Sequence, residues 1–261
     1  MPAVPPLWSA QHQSSSGVER RAAHMSWDRV GQLLEEGAAA ILPIGAGAKQ
    51  HGLHLPMNTD QIQAEWLAMR VADAVDGLIW PTLNYGYYPA FAAYAGSVSL
   101  TEATFEQAVL DITDGLLLCC RSQVVILDTG LSTQAAVARA LSRTAKPGRC
   151  HHVKVYDGPR FRETARRLAR QPHGSHADEI ETSLMLALAP ALVDMARAEP
   201  SPPLTGGVVD GPLTPSDAAS PNYSPSGSFG SPQLATLDKG CALLAAMEAD
   251  VIAAARDAIN R

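Results

Sequence analysis

Cysteine is scarce in this chain of 261 residues, and its placement does not suit a structural role. The four cysteines, at 119, 120, 150 and 241, make no CxxC spacing, and the adjacent Cys119 and Cys120 are poor partners for each other. No disulfide framework is expected, and a reducing, cytoplasmic setting is. Long apolar runs are also absent: no stretch of 18 or more such residues occurs, which removes a membrane-spanning helix from the expectations. The N-terminus carries no basic segment followed by an apolar core, so no signal peptide is expected, and Met25 competes with Met1 as a start. There is no long basic run either. Lys and Arg number 20 against 26 Asp and Glu, a net charge of −6, so neither nucleic acid nor an anionic membrane surface is an expected partner. A small molecule or another protein chain is.

Apolar residues make up 46% of the chain, ample for a sizeable core. Residues 1–24, rich in Pro, Ser and polar residues, read as a flexible arm before one domain over 25–261. From Ser26 the pattern alternates. "SWDRVGQLLEEG" is a capped helix, "AAAILPI" a buried strand, "TDQIQAEWLAMRVADAV" a helix and "GLIWP" a second strand. "TEATFEQAVLDITDGLLLCCRS" is a helix with a Thr cap, and "QVVILDT" a third buried strand. After "TQAAVARALSRTA", again helical, "HHVKVYD" gives a fourth strand. Three helices close the chain, in "PRFRETARRLARQ", "DEIETSLMLALAPALVDMA" and "ATLDKGCALLAAMEADVIAAARDAI". Strands alternating with helices of this length predict an α/β fold, a mainly parallel β-sheet flanked by helices on both faces. Chemistry in such sheets gathers beyond the carboxyl ends of the strands. A Pro-, Gly- and Ser-rich stretch at 197–234 reads as a long functional or subunit-contacting loop within the same domain.

One strand end carries "AGAKQHGLHLPMNTD", residues 46 to 60, with a lysine, two histidines and an aspartate in a single loop. Three more stretches accompany it: "YGY" followed by "GSVSL", "HADEIETSLMLALAPALVD", and "GSPQLATLDKG". On these stretches, spanning about residues 26 to 250, the chain resembles the creatininase (creatinine amidohydrolase) family, whose motifs read roughly LPxGxxEQHGPHLPxxxD and HAGxxETSLML. The resemblance implies a four-layered α/β fold, a two-metal site, hydrolysis of amide-type C–N bonds in small cyclic or formylated compounds, and a homo-oligomer, often a hexamer. It also implies roles for particular residues. The family's Glu, His and bridging Asp ligands fall on Lys49, His51 and Asp60. Its ligand from an N-G-H segment falls on Gly130, and a further Glu ligand, found in creatininase itself, on Ser132. The late His implicated in catalysis falls on His176, and the Glu of ETS on Glu181.

Lys49 and Gly130 depart from that ligand set, and Ser132 is a poor substitute. At an effective dielectric of about 20, a unit positive charge roughly 5 Å from a divalent ion costs about 6 to 7 kcal/mol. Two intact ligands do not hold a pair of ions, since catalytic zinc takes about three from protein. Three readings stay open. One divalent ion (zinc, manganese or iron) sits on His51 and Asp60 with Glu181 and activates water. Alternatively the site holds no metal, and Lys49 serves as stabiliser, acid or nucleophile beside His176 as acid or base and Glu181. The third reading is a non-catalytic homologue that binds a small ligand or a partner subunit.

Blander roles compete for several residues. Asp128 suits capping of the next helix better than ligation, His54 reads as structural, His151 and His152 as sheet-edge groups, and His173 as a loop residue. Tyr85, Tyr87, Tyr88, Phe91 and Tyr94 form an aromatic stretch. The first four are expected to line a substrate pocket, although packing at a subunit contact fits equally well. Glu181 early in a helix is also favoured by the helix dipole alone.

Overall fold

A computed structural model describes residues 17–202 and 211–260. Residues 1–16 of the expected arm and 203–210 of the expected loop lie outside the described residues. Among the described residues there are seven α-helices and four strands, here α1 (Trp27–Glu35), β1 (Ala40–Ile44), α2 (Thr59–Val75), β2 (Leu78–Ile79), α3 (Glu102–Cys119), β3 (Val124–Asp128), α4 (Gln134–Arg143), β4 (Cys150–Lys154), α5 (Pro159–Leu168), α6 (Glu179–Leu188) and α7 (Leu237–Ile259).

The strands form one parallel sheet in the order β2-β1-β3-β4. β1 and β3 are buried along their whole length, which is why they read as continuous apolar runs instead of alternating ones. Their side chains divide between two cores. Ala40, Leu42, Ile44, Val124 and Ile126 meet α1, α3 and α4 on one face. Ile41, Val125 and Leu127 meet α2 and α7 on the other. On that second face α5 and α6 pack on α7 more than on any strand, so helices stand two deep and the molecule has four layers.

Several boundaries differ from expectation for identifiable reasons. Arg21 forms a parallel bridge with Ile79, and the Ile79 amide donates to the Arg20 carbonyl at 2.8 Å. The last residues of the expected arm are thus docked along β2 and belong to the domain. α6 stops at Leu188, because Pro190 offers no amide to continue it; short 3-10 turns follow. α3 is capped as its sequence predicts, the Thr101 hydroxyl accepting from the Thr104 amide.

The chain leaves β1 in one direction to β2 and crosses back to β3, so the topological switch point lies between β1 and β3. The loop carrying Lys49 and His51 and the loop after Asp128 meet there. Residues 211–230, within the long loop whose described parts are 197–202 and 211–234, cross over them as a strap. The Leu213 amide donates to the Ala90 carbonyl at 2.9 Å, the Tyr94 hydroxyl to the Ser224 carbonyl at 2.6 Å, and Gln50 Nε2 to the Gly227 carbonyl at 2.9 Å. Gly227 is required at that point: its φ is +80°, and a Cβ there would strike the Gln50 side chain. The strap then pairs with the late motif, the Phe229 amide donating to the His176 carbonyl at 2.8 Å.

Candidate active site

Asp60 sits in the first turn of α2, where the helix dipole favours a carboxylate, and it is almost wholly buried. Lys49, from the preceding loop, brings Nζ to 2.6 Å from Asp60 Oδ2. His51 Nε2 lies 3.0 Å from the other oxygen, Oδ1. Burial alone would raise the Asp60 pKa, but the Lys49 ammonium and His51 outweigh it and hold the carboxyl well below its usual range. The second His51 nitrogen, Nδ1, lies 2.8 Å from the Lys49 carbonyl. Both ring nitrogens of His51 therefore face oxygen atoms.

His176 and Glu181 approach from the opposite side. His176 precedes α6, whose N-cap Asp178 accepts from the Ile180 and Glu181 amides. His176 Nε2 faces the Gln50 carbonyl at 2.9 Å, so the hydrogen belongs on Nε2 and Nδ1 carries the lone pair. That Nδ1 lies 3.9 Å from Glu181 Oε2. Burial pushes the His176 pKa well down, with the positive Lys49 and His51 adding to the effect. Glu181 accepts from the Ala177 amide at 2.7 Å and brings Oε1 to 3.8 Å from His51 Nε2. Its pKa is raised, chiefly by burial. Ala177 itself sits at φ +45°, in the left-handed region that L residues disfavour.

These groups open on a cavity of about 490 Å³, with Lys49, Asp60, His176 and Glu181 in its lining. Of the four aromatics expected to wall it, Phe91 alone does so; its ring centre is 4.1 Å from that of His176 and 5.0 Å from Lys49 Nζ. Tyr88 is buried beside the site, 6.0 Å from Lys49 Nζ, with its hydroxyl bonded to the Asn84 carbonyl. Tyr85 is 48% exposed, and Tyr87 packs on the far core, so neither lines the cavity. Sequence reasoning missed Phe229 and Asp178, both in the lining. A helix-cap pattern was a usable signal for Asp178; nothing in sequence marked Phe229.

The remaining candidates have other work. Asp128 Oδ1 accepts from the Gly130 amide at 2.9 Å and the Thr133 hydroxyl at 2.7 Å, while Oδ2 faces His152 Nε2 at 2.9 Å. Its role is to shape the loop. At Gly130 a Cβ would collide with the Thr133 hydroxyl, so this loop has closed over the space a histidine would need. Ser132 donates to the Tyr87 carbonyl at 2.7 Å. His54 is buried against the Thr182 hydroxyl at 2.8 Å, with burial lowering its pKa to about 4. His151 and His152 lie on the edge strand β4, and His173 is near Phe229, outside the lining.

Whether a metal fits can be judged from the donors. His51, His176 and Glu181 place one ligand atom each within 4.8 Å of one another, the number a single catalytic ion takes. The donors do not suit a pair of ions: Lys49 Nζ stands against Asp60, Gly130 has no side chain to offer, and the Ser132 hydroxyl donates to the Tyr87 carbonyl.

The family model described as "Creatininase: Creatinine amidohydrolase" matches residues 23–255. A creatinine amidohydrolase of Pseudomonas putida is 28% identical over 220 residues, covering 77% of this chain and 82% of that protein. The crystal structure of a creatinine amidohydrolase (creatininase) superposes with a TM-score of 0.80 at 25% identity, covering 93% of this chain and 98% of that one. A manganese form of creatininase, and a mutant of Zn-Zn type, each match with a TM-score of 0.80 at 25% identity over 94% of this chain and 100% of theirs. No described helix is long and apolar enough to cross a membrane. The matched region takes in both flanks of the cavity, from the Lys49 loop to α7, and the chain belongs to the creatininase (creatinine amidohydrolase) family.

Proposed function

We propose that this chain is an amidohydrolase cleaving an amide or lactam C–N bond of a small molecule, at a site where the Lys49 ammonium takes the place of a divalent ion. The observation that carries this reading is the contact of 2.6 Å between Lys49 Nζ and Asp60 Oδ2, in a cavity still open to a substrate. A buried aspartate without a counter-charge would be costly, and the lysine supplies one at the place where the family's ions would gather.

In this reading the chain's own groups divide the chemistry. The substrate carbonyl oxygen lies toward Lys49, whose fixed charge stabilises the oxyanion that forms as water adds to the carbonyl carbon. His176 Nδ1, unprotonated at neutral pH, takes a proton from that water. Glu181, held toward its neutral form by burial, gives a proton to the departing nitrogen as the C–N bond breaks. Proton transfer from His176 to Glu181, whose atoms are 3.9 Å apart, restores the starting state. The net change is addition of one water across the C–N bond.

The test is metal content by inductively coupled plasma mass spectrometry after reconstitution, paired with hydrolysis assays on chelator-treated protein against creatinine, lactams and formamides. Less than one zinc, manganese or iron per chain, with turnover that survives the chelator, is expected. About one ion per chain with turnover lost on chelation would instead make His51, His176 and Glu181 a mononuclear centre and refute the role given to Lys49.

A further inference from the structure

The cavity is larger than cleavage of a single ring requires. Its volume of about 490 Å³ falls among pockets that enclose a drug-sized ligand. At about 30 Å³ per molecule it would hold roughly sixteen waters, several times what a five-membered lactam displaces. Beyond the reactive cluster most of the exposed lining is apolar, with Phe91, Leu131, Phe161, Ile180, Leu213 and Phe229 contributing, and the polar side chains there, such as Thr129, Gln171 and Asn222, carry no charge. Phe229 is held in place by backbone pairing with His176, and Phe91 stacks on the same histidine. The strap thus sets an aromatic and an aliphatic side chain beside the reacting groups.

Charge narrows the choice further. Among the described lining residues, Lys49 is the one lysine, no arginine is present, and the lysine is committed to Asp60. The carboxyls are three, on Asp60, Asp178 and Glu181. Asp178 is fully engaged, by the Ile180 and Glu181 amides and by Gln171 Nε2. A substrate carboxylate or phosphate would find no cationic side chain beyond Lys49, whose charge is already shared with Asp60.

We propose that the site takes an uncharged or cationic amide whose C–N bond bears an apolar, ring-containing substituent, and that it rejects the same amide carrying a carboxylate or phosphate. The amide rests on the amidohydrolase reading; the preferences for an apolar substituent and against negative charge rest on the lining alone.

Isothermal titration calorimetry on the full chain tests this with three probes: pyrrolidinone, N-formylphenethylamine and N-formylphenylalanine, the last two differing by one carboxylate. N-formylphenethylamine is expected to bind at least about tenfold tighter than either of the others. Phe229→Ala and Leu213→Ala should each shrink its advantage over pyrrolidinone, and two variants guard against one failing to fold. Equal affinity for pyrrolidinone, equal or tighter binding of the carboxylate, or no binding of any probe overturns the proposal. The expected binding order without hydrolysis of any probe would uphold it and sink the amidohydrolase reading. Hydrolysis of pyrrolidinone without preference for the phenyl group would do the reverse.

Discussion

Lys49→Glu restores the residue type of the family motif and sets two large electrostatic effects against each other. The substitution removes the ion pair with Asp60, whose two side chains are 9% and 3% exposed. Breaking a buried pair costs about 3–5 kcal/mol. It also places a second carboxylate beside Asp60; at about 4 Å and an effective dielectric of about 20, that repulsion adds about 4 kcal/mol. Together these approach the whole stability of a typical domain, about 5–15 kcal/mol. In a chelating buffer the variant should melt far below the parent or fail to fold. A divalent cation offsets part of this loss, because two carboxylates and His51 then become ligands. At a hundredfold excess over its dissociation constant the ion stabilises by about 2.7 kcal/mol, or roughly 5–11 °C at about 2–4 °C per kcal/mol. Thermal unfolding with EDTA, manganese and zinc, on parent and variant, reads both effects. A variant that melts with the parent in EDTA, or that gains nothing from either ion, would refute the claim that Lys49 occupies an ion's place.

Four further outcomes follow from the same geometry. His176→Ala should lower turnover by about 10²–10⁴ while destabilising by only about 1–2 kcal/mol for its lost bond to Gln50; a parallel assay and melt decide, and retained activity removes it from the mechanism. Glu181→Gln keeps an acceptor for the Ala177 amide. Since burial raises the Glu181 pKa in the fold, its ionisation opposes folding as pH rises above the unfolded value of about 4.3. The variant should therefore be inactive yet melt higher than the parent near neutral pH, and a lower melting temperature there would contradict the direction assigned. His54 works in the opposite sense: its folded pKa of about 4 lies below the unfolded value. The stability it contributes is complete above about pH 6.5 and is lost on descending toward pH 4. The His54→Gln variant should show a shallower loss over that window in urea unfolding, and parallel curves would rule the contribution out. Gly130→His alone should cost about 1–3 kcal/mol by overpacking against Thr133 and bind no metal; stoichiometric metal in that single variant, by mass spectrometry, would show that the loop opens more readily than its contacts suggest.

What could be read from sequence was whatever repeats locally. The helix and strand order followed from apolar spacing, and the two-sided burial of β1 and β3 from runs without alternation. The proximity of Lys49 and Asp60 was legible because two opposite charges shared one short loop and the turn after it. What could not be read was long-range and made of backbone. The carbonyl that orients His176 belongs to Gln50, 126 positions away, and a carbonyl leaves no mark on residue type. Phe229 was hidden in the same way, in a stretch whose composition suggested only a loop. The aromatic stretch misled for a different reason. Only Phe91 reaches the cavity, because after Tyr87 and Tyr88 the backbone turns into a short 3-10 segment and no regular period relates the rings.

The strap has a consequence for the order in which the molecule becomes competent. Lys49, His51 and Asp60 leave the ribosome early, and His176 and Glu181 well before the end, but the wall that holds His176 arrives only with Phe229. During synthesis these side chains are therefore present before the strap that walls the cavity beside them. A nascent chain, or one cut within the strap by a protease, would keep every charged residue of the site yet lack a formed binding chamber. The chamber is complete only once the strap is docked on Ala90, Tyr94 and Gln50.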